Sequence, residues 1–413
     1  RENYLQSRAI SLMTSQAMRS VVLHSRYINE LEVTGKLDRN LEFLPEEKIL
    51  MERKLAGKGL TSPGIAVLFC YSKILLKEAI LSSDVPEDPY LGQFLLRSFP
   101  KPLQETFAGQ MRQHPLKREI IATKLSNIIV NEMGFTFIYR LQDETGAPVS
   151  AIVRAYMIAR SVVSIEEIWR HIDDSEGQID AETQAKIMMR YVRLLRRITR
   201  WFLRNRRTKL DITKTVELYA PGVEALKKSM PSVFGENASA QYEKSYQGYL
   251  EFGISTFLAH ELSITQEFFA AMDIIEVAYQ FAMPIKNIAE IYFRIGEFLD
   301  ISWIRTQVII HATDNHWEVL SREALRDDLD WQQRQLTAGI IHYNGHKKDL
   351  GQCLKAWSEN HAGLIERWHE VLNNLRSTSG LNYTMFFVAI RELLDLTQTT
   401  IQVTEKKPVL TEA

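Results

Sequence analysis

The sequence lacks the features that carry most familiar kinds of chemistry. It contains no G-x-G-x-x-G segment, and it has two cysteines, Cys70 and Cys353, in 413 residues. A dinucleotide site of the Rossmann type needs such a glycine-rich turn between a strand and a helix. We therefore expect no Rossmann domain and no cofactor-binding residue in this chain. Two thiols do not make a disulfide framework, which favours a reducing compartment.

Long apolar runs and an excess of one charge are missing as well. No uninterrupted apolar stretch reaches spanning length, no signal peptide stands at the start, and the formal net charge is −1. No overall positive field would draw such a chain to nucleic acid or anionic lipid. We expect a cytoplasmic protein with no nucleic acid and no membrane among its partners. Since the chain begins at Arg1 rather than Met, we also expect a processed protein or a piece of a longer one.

Apolar residues at three-four spacing run along almost the whole sequence. Gly35 and Gly134 stand where helices would end, and Pro63 and Pro115 stand where helices would begin. A strand-like alternation is confined to 135–141, which we interpret as helix or extended linker. The sequence thus predicts an all-α fold, either a large multi-helix bundle or an irregular helical array. Helices are predicted at about 2–33, 63–81, 115–133, 148–172, 180–206, 211–230, 238–257, 262–282, 285–299, 302–312, 316–341, 349–376 and 382–403.

The breaks between these helices are short, and none is a clear domain linker. We expect residues 1–58 to form one helical segment. Residues 59–403 would form a helical domain, which could divide into two sub-bundles near 206–212. Residues 404–413 are polar, include Pro408 and are predicted to fray.

A basic stretch is the most distinctive charge pattern. Residues 190–209 contain nine Lys or Arg and no Asp or Glu, with apolar residues on the opposite side of the predicted helix. Its charged face could bind an acidic protein surface, anionic lipid or nucleic acid. The preceding segment, 166–182, is rich in Asp and Glu, so pairing within the chain or simple solvation is the favoured interpretation. As a docking face we single out Arg193, Arg196, Arg197, Arg200 and Arg204.

Two other features have plain structural explanations. Residues 57–64 come nearest to a phosphate loop, but their spacing does not fit that motif and they lie between two predicted helices. A turn leading into a helix explains them better. Cys70 lies within an apolar run, so we expect it to be a small buried side chain.

The histidines and aspartates give no clear site. His342 and His346, and His361 and His369, have spacings that fit one helix face. A metal site needs three or four convergent ligands, so we interpret these histidines as unliganded and predict no metal site. The carboxylates Asp327, Asp328 and Asp330 could do acid–base work if burial separated their pKa values. An exposed helix face with ion pairs to neighbouring arginines is the simpler interpretation.

Several segments, taken together and in order, resemble one family. They are the segments at 3–6, 37–45, 59–68, 71–74, 83–91, 114–123, 140–147, 314–318 and 324–329. The set covers about residues 1–340 and resembles the C-terminal region of the large bacterial NAD-specific glutamate dehydrogenases. Ser62 and Gly64-Ile65 depart from this pattern, since the family form has Arg and Glu-Leu there.

This resemblance implies a functional context that the residues alone do not supply. The family oxidises L-glutamate to 2-oxoglutarate and ammonia with reduction of NAD, and its nucleotide loop, substrate lysines and catalytic aspartate lie upstream of Arg1. The chain would then be a non-catalytic helical region that serves assembly, support or regulation of the catalytic domain. Its expected partners are that domain and further copies in a homo-oligomer. The alternative is a free-standing helical protein-interaction scaffold.

Overall fold

The computed structural model describes residues 2–175, 177, 179–206, 210–311, 315–344 and 350–405. Across these residues the secondary structure is helical and contains no strand, which confirms the predicted all-α class. The chain forms two compact units, Arg1–Leu218 and Tyr219–Ala413. Residues 1–58, which the sequence set apart, belong to the first unit together with the residues that follow them. The division predicted near 206–212 lies just before the boundary between the units.

Unit 1 is built on α4 (Ser62–Leu81), which packs against α1 (Glu2–Gln16), α7 (Lys117–Met133) and α9 (Val149–Val162). Helix α9 also packs along α11 (Ala181–Asn205). Local signals place the start of α4: Thr61 accepts a hydrogen bond from the Gly64 N–H at 3.5 Å, and Pro63 occupies the first turn. The described helices up to the unit boundary are α1 Glu2–Gln16, α2 Val21–Val33, α3 Glu47–Leu55, α4 Ser62–Leu81, α5 Gly92–Leu96, α6 Lys101–Arg112, α7 Lys117–Met133, α8 Phe137–Thr145, α9 Val149–Val162, α10 Ile165–Asp174, α11 Ala181–Asn205 and α12 Ile212–Val233, which crosses the boundary.

Unit 2 is organised around α18, which packs along α21 and contacts α15, α16, α17 and α19. Two fully buried tryptophans tie helices together through their indole N–H groups. Trp368 donates to the carbonyl oxygen of Leu299 at 2.7 Å, and Trp357 donates to Oγ1 of Thr400 at 3.1 Å. The remaining helices are α13 Glu236–Glu251, α14 Thr256–Ile264, α15 Ala271–Phe281, α16 Ile285–Phe298, α17 Ile301–Ile310, α18 His316–Asn344, α19 Leu350–Asn360, α20 Ala362–Ser377 and α21 Tyr383–Glu405.

Most predicted helices are present, but some contain breaks that the sequence did not signal. The predicted helix at 148–172 is two helices, because Ser164 adopts a left-handed conformation with φ +58°. The predicted helix at 349–376 is interrupted at His361, between α19 and α20. The segment 135–141 is largely helix α8 rather than an extended linker. Of residues 404–413, predicted to fray, 404 and 405 belong to α21, and 406–413 lie outside the described residues.

The prediction that Cys70 is buried is wrong. Its side chain is exposed, as is that of Ile74, which retains 55% of its accessible surface. The buried residues of α4 lie at helical spacing, at Ile65, Leu68, Phe69, Ser72, Leu76 and Ile80. The helix is therefore covered on one side, although its apolar residues run nearly all the way round.

Burial of His24 makes unit 1 sensitive to acid. The imidazole packs 4.8 Å from the ring of Phe135, and burial lowers its pKa from 6.5 to about 4. In the unfolded chain His24 therefore binds a proton below about pH 6.5, whereas in the folded chain it does so only below about pH 4. The stability tied to neutral His24 is complete above pH 6.5 and is lost as the pH falls through this window.

We expect the free energy of unfolding to drop by about 2 kcal/mol between pH 7 and pH 5 through His24 alone. His24→Phe should remove that part of the pH dependence, because phenylalanine binds no proton. Urea unfolding of both proteins at the two pH values measures the difference. Equal pH dependence in the two proteins would contradict this assignment.

Gly59 marks a close approach of two backbone segments. A Cβ atom at this position would lie 2.2 Å from the backbone carbonyl carbon of Ala17, which cannot rotate away. We expect Gly59→Ala to destabilise the chain by about 3 kcal/mol, because the backbone must shift. Gly92→Ala is the matched control, since its Cβ would meet nothing within 4 Å and its φ is −56°. Thermal unfolding should show a much lower melting temperature for Gly59→Ala and a nearly unchanged one for Gly92→Ala.

Candidate functional site: an arginine cluster around Glu144

The basic stretch of the sequence lies on α11, up to Arg206 in the described part of the chain. Asp180 caps the start of this helix by accepting the Thr183 N–H at 2.8 Å. Leu194, Leu195, Ile198 and Phe202 are buried, so the helix is amphipathic, as the sequence indicates. Arg207 and Lys209 lie outside the described residues.

Glu144, near the end of α8, is the centre of the charge arrangement on this helix. Its side chain is only 2% exposed. Three guanidinium groups donate to its carboxylate: Arg140 Nε to Oε1 at 2.7 Å, Arg196 Nη1 to Oε1 at 3.0 Å and Arg200 Nη1 to Oε2 at 2.8 Å. Arg204 Nη2 also donates to the backbone oxygen of Glu144, at 3.4 Å. The arginines of α11 thus bind α8 at its C-terminal end.

The five arginines of the predicted docking face differ in burial, because some of them bond to Glu144. Arg200 is buried and Arg196 is mostly buried, so their guanidinium groups are used inside unit 1. Arg193 and Arg204 are exposed, and Arg197 is partly buried. The five arginines therefore do not form one accessible surface. Pairing within the chain, one of the two interpretations that the sequence favoured, is what Arg196, Arg200 and Arg204 do, because each donates to Glu144.

Arg193 sits among like charges on the accessible side of α11. Partial burial lowers the pKa of its guanidinium, and the nearby charges of Arg19 and Arg196 lower it further. Charge reversal at Arg196 would disturb Glu144 as well as any docking, whereas Arg193→Glu would test docking without touching that carboxylate. The docking role of the face stays a prediction.

A second buried ion cluster joins α7 to α9. Arg160 donates from Nη2 to Oε1 of Glu132 at 3.1 Å and from Nη1 to Glu166, and the Tyr156 hydroxyl donates to Glu132. Burial and the adjacent carboxylate raise the pKa of Tyr156 well above its ordinary value. The tyrosine therefore stays protonated as a hydrogen-bond donor, which suits a fastening role.

One aspartate of α18, Asp330, bonds to a neighbouring helix instead of lying on an exposed face. Asp330 accepts from Arg305 of α17 at 3.0 Å, and its side chain is 15% exposed. Burial alone would lower the pKa of Arg305, but Asp330, together with nearby Tyr292 and Asp273, outweighs burial and raises it. Arg334, from the same patch, pairs with Asp273 of α15 at 2.8 Å. Asp328 is exposed. The sequence interpretation of a simple exposed face is therefore wrong for Asp330 and Arg334.

The histidines bind backbone oxygens. His361 Nδ1 lies 2.8 Å from the carbonyl oxygen of Trp357, and His369 Nε2 lies 3.2 Å from that of Phe298. His346 lies outside the described residues, so the pair that it forms with His342 is not described. Over the described ranges, no three His, Cys, Asp or Glu side chains are grouped as a metal would require. Within the same ranges, no helix combines the length and the apolar character needed to cross a membrane.

Removing the negative charge of Glu144 should destabilise unit 1. In Glu144→Gln three guanidinium groups would face one another without the carboxylate, and breaking a buried pair in this way costs about 3 kcal/mol or more. Lys186→Gln on α11 is the control, because its bond to Glu182 is largely exposed at 70% and 78%. Urea unfolding at neutral pH should show a much smaller free energy of unfolding for Glu144→Gln and an unchanged one for Lys186→Gln. Equal stability of both variants would contradict a structural role for this cluster.

Comparison with known proteins shows which family and which proteins this chain is similar to. Residues 57–395 match the family described as glutamate dehydrogenase, C-terminal. The chain is 39% identical over 396 residues to the NAD-specific glutamate dehydrogenase of Pseudomonas aeruginosa, covering 96% of this chain and 24% of that protein. The protein of the same name from Halomonas elongata is 35% identical, covering 96% of this chain and 25% of that protein. The one from Mycobacterium tuberculosis is 28% identical, covering 94% of this chain and 24% of that protein.

The chain therefore spans about a quarter of the length of the curated relatives that it matches. These matches confirm the resemblance carried by the segments between residues 3 and 329. This chain belongs to the glutamate dehydrogenase C-terminal family.

Proposed function

We propose that this chain is the helical C-terminal region of an NAD-dependent glutamate dehydrogenase and that it supports or assembles the catalytic domain without carrying out the reaction itself. The observation that carries the proposal is the extent of the matches. Nearly all of this chain aligns with the relatives, but it accounts for only about a quarter of their length. The remaining three quarters leave ample room for a catalytic domain elsewhere in such a protein.

The reaction of the whole protein would be the oxidative deamination of L-glutamate with NAD and water to 2-oxoglutarate, ammonia and NADH. Such a reaction needs backbone N–H groups that cradle the pyrophosphate, and the family resemblance implies that these lie upstream of this region. The sequence of this chain has no glycine-rich turn of that type. We therefore assign NAD binding and hydride transfer to the preceding part of the polypeptide.

The use of the charged side chains supports a scaffold role. Glu144, Glu132 and Asp330 each accept from arginines on neighbouring helices, so these carboxylates hold helices together. A catalytic carboxylate would instead face a cleft where substrate could reach it. A helical unit with such internal bonds is suited to holding a catalytic domain in position. By the same proposal, the enzyme would be a cytoplasmic homo-oligomer.

The rival function is a free-standing helical protein-interaction scaffold. It would be favoured if the natural gene product proved to consist of these residues alone. A coding sequence upstream with a strand, a G-x-G-x-x-G-type turn and a helix would favour the dehydrogenase instead.

An assay of NADH formation from glutamate and NAD tests the proposal directly. We expect no turnover with the 413-residue chain and turnover with the full-length product of the natural gene. Calorimetry should detect no tight NAD binding to the 413-residue chain. Hydride transfer by this chain alone, or its absence from the full-length protein, would refute the proposal.

A further inference from the structure

An exposed apolar patch lies on unit 1, on α4 and on the loop between α2 and α3. Phe43 retains 94% of its accessible surface, Leu41 75% and Ile74 55%, and Cys70 is exposed beside Ile74 on α4. We call these four residues the Phe43–Ile74 patch. Single exposed apolar residues are ordinary, but several on two bonded segments favour a surface that another protein segment covers.

Hydrogen bonding makes the loop and the helix parts of one surface. The Tyr71 hydroxyl donates to Oε1 of Glu42 at 2.7 Å. Glu42 stands between Leu41 and Phe43, and Tyr71 is three residues before Ile74 and next to Cys70. Because residues three and four apart share a helix face, Cys70 and Ile74 lie beside this contact.

The loop is held rigidly rather than left loose. Asp38 Oδ1 accepts the N–H groups of Asn40 at 2.9 Å and Leu41 at 3.2 Å. The Arg39 guanidinium donates to Oε2 of Glu32 at 2.6 Å and to the carbonyl oxygen of Pro45 at 2.8 Å. Phe43 is therefore presented to solvent by a fixed backbone.

The backbone at Phe43 is one that favours glycine. Its φ is +52°, the Leu44 N–H donates to the Arg39 oxygen at 3.0 Å, and the Phe43 N–H donates to the Asn40 oxygen at 3.3 Å. This is the Schellman pattern that ends helical turns, with Phe43 at the position that usually carries glycine. A bulky side chain in this conformation is uncommon and strained. Phe43 keeps 94% of its accessible surface, so burial among the described residues does not offset this strain, which favours a contact outside them.

The start of the chain indicates what covers the patch. Lys73, next to Ile74, donates to Oε1 of Gln6 at 3.0 Å, so the first helix begins alongside the patch. In a protein of the relatives' length, the polypeptide that precedes this region would enter at the same place. A segment tethered so close has a high effective concentration at the patch.

We propose that the Phe43–Ile74 patch is the docking surface for the catalytic part of the same dehydrogenase polypeptide, with Phe43 as its apolar anchor. This inference rests on the proposed function, because it needs a catalytic part upstream. An exposed aromatic side chain on a rigid element is the kind of group that dominates the binding energy of an interface.

Cys70 provides a probe inside the patch. We expect N-ethylmaleimide to label Cys70 at least tenfold more slowly in the full-length enzyme than in the 413-residue chain, measured by mass spectrometry of the peptide that contains it. Cys353, which is buried, should label slowly in both proteins and serves as the internal control. Equal rates for Cys70 in the two proteins would overturn the proposal. Protection in the 413-residue chain that grows with its concentration would also overturn it, because a second copy would then be the occupant.

Phe43→Gly separates docking from folding. In the 413-residue chain it should raise the urea midpoint of unfolding, since glycine relieves the left-handed backbone at no loss of internal contact. In the full-length enzyme it should speed Cys70 labelling about tenfold, because the anchor is gone. Ala282→Gly is the matched control: Ala282 is also exposed and has φ +50°, so it should raise the midpoint but leave Cys70 labelling unchanged. A lower midpoint for Phe43→Gly, or unchanged labelling of the full-length variant, would contradict the anchor role.

Glutamate-dependent NADH formation by the same full-length preparation separates the two proposals. If the enzyme is active but Cys70 is freely labelled, the docking surface is wrong and the proposed function stands. If the enzyme is inactive, the proposed function is refuted by that result, whatever the labelling shows.

Discussion

Three guanidinium groups on one buried carboxylate form the interaction on which unit 1 depends most. Glu144 is buried against Arg140, Arg196 and Arg200, and removing either side of the cluster would leave buried charge without this partner. Such a cluster is stable in one helix register and poor in others, because sliding α8 along α11 would leave buried charge unmatched. Apolar packing drives the helices together, and the ion cluster selects how they meet.

Unit 2 also has buried ion pairs that join its helices. Lys227 pairs with Glu261 at 2.9 Å, both almost fully buried, and Asp273 pairs with Arg334 at 2.8 Å. Each of these pairs joins helices that are distant in the sequence. Buried pairs of this kind fix how the helices of unit 2 pack against one another, because sliding them would leave buried charge unmatched.

The helical rhythm of the sequence was enough to predict the all-α class and most of the helices, because apolar spacing and the Pro and Gly signals are local. Ser164 broke a predicted helix without any such signal, since serine seldom adopts its left-handed conformation. Glu144 was missed for a different reason: its partners Arg196 and Arg200 lie 52 and 56 residues away. The pair of Arg140 and Glu144, four apart within a family-like segment, was the one local hint. The burial of Cys70 was predicted wrongly, because an apolar run reveals that a helix has covered neighbours but not which side remains open.

The tryptophans give the two units different optical properties. Of the seven in the sequence, Trp169 and Trp201 belong to unit 1, and the other five belong to unit 2. Trp357 and Trp368 are fully shielded there, whereas Trp317 retains 73% of its accessible surface. Most of the intrinsic fluorescence of the chain therefore comes from unit 2. A change in its emission would mainly reflect the surroundings of the unit 2 indoles, among them Trp357 and Trp368 beside α21 and α16.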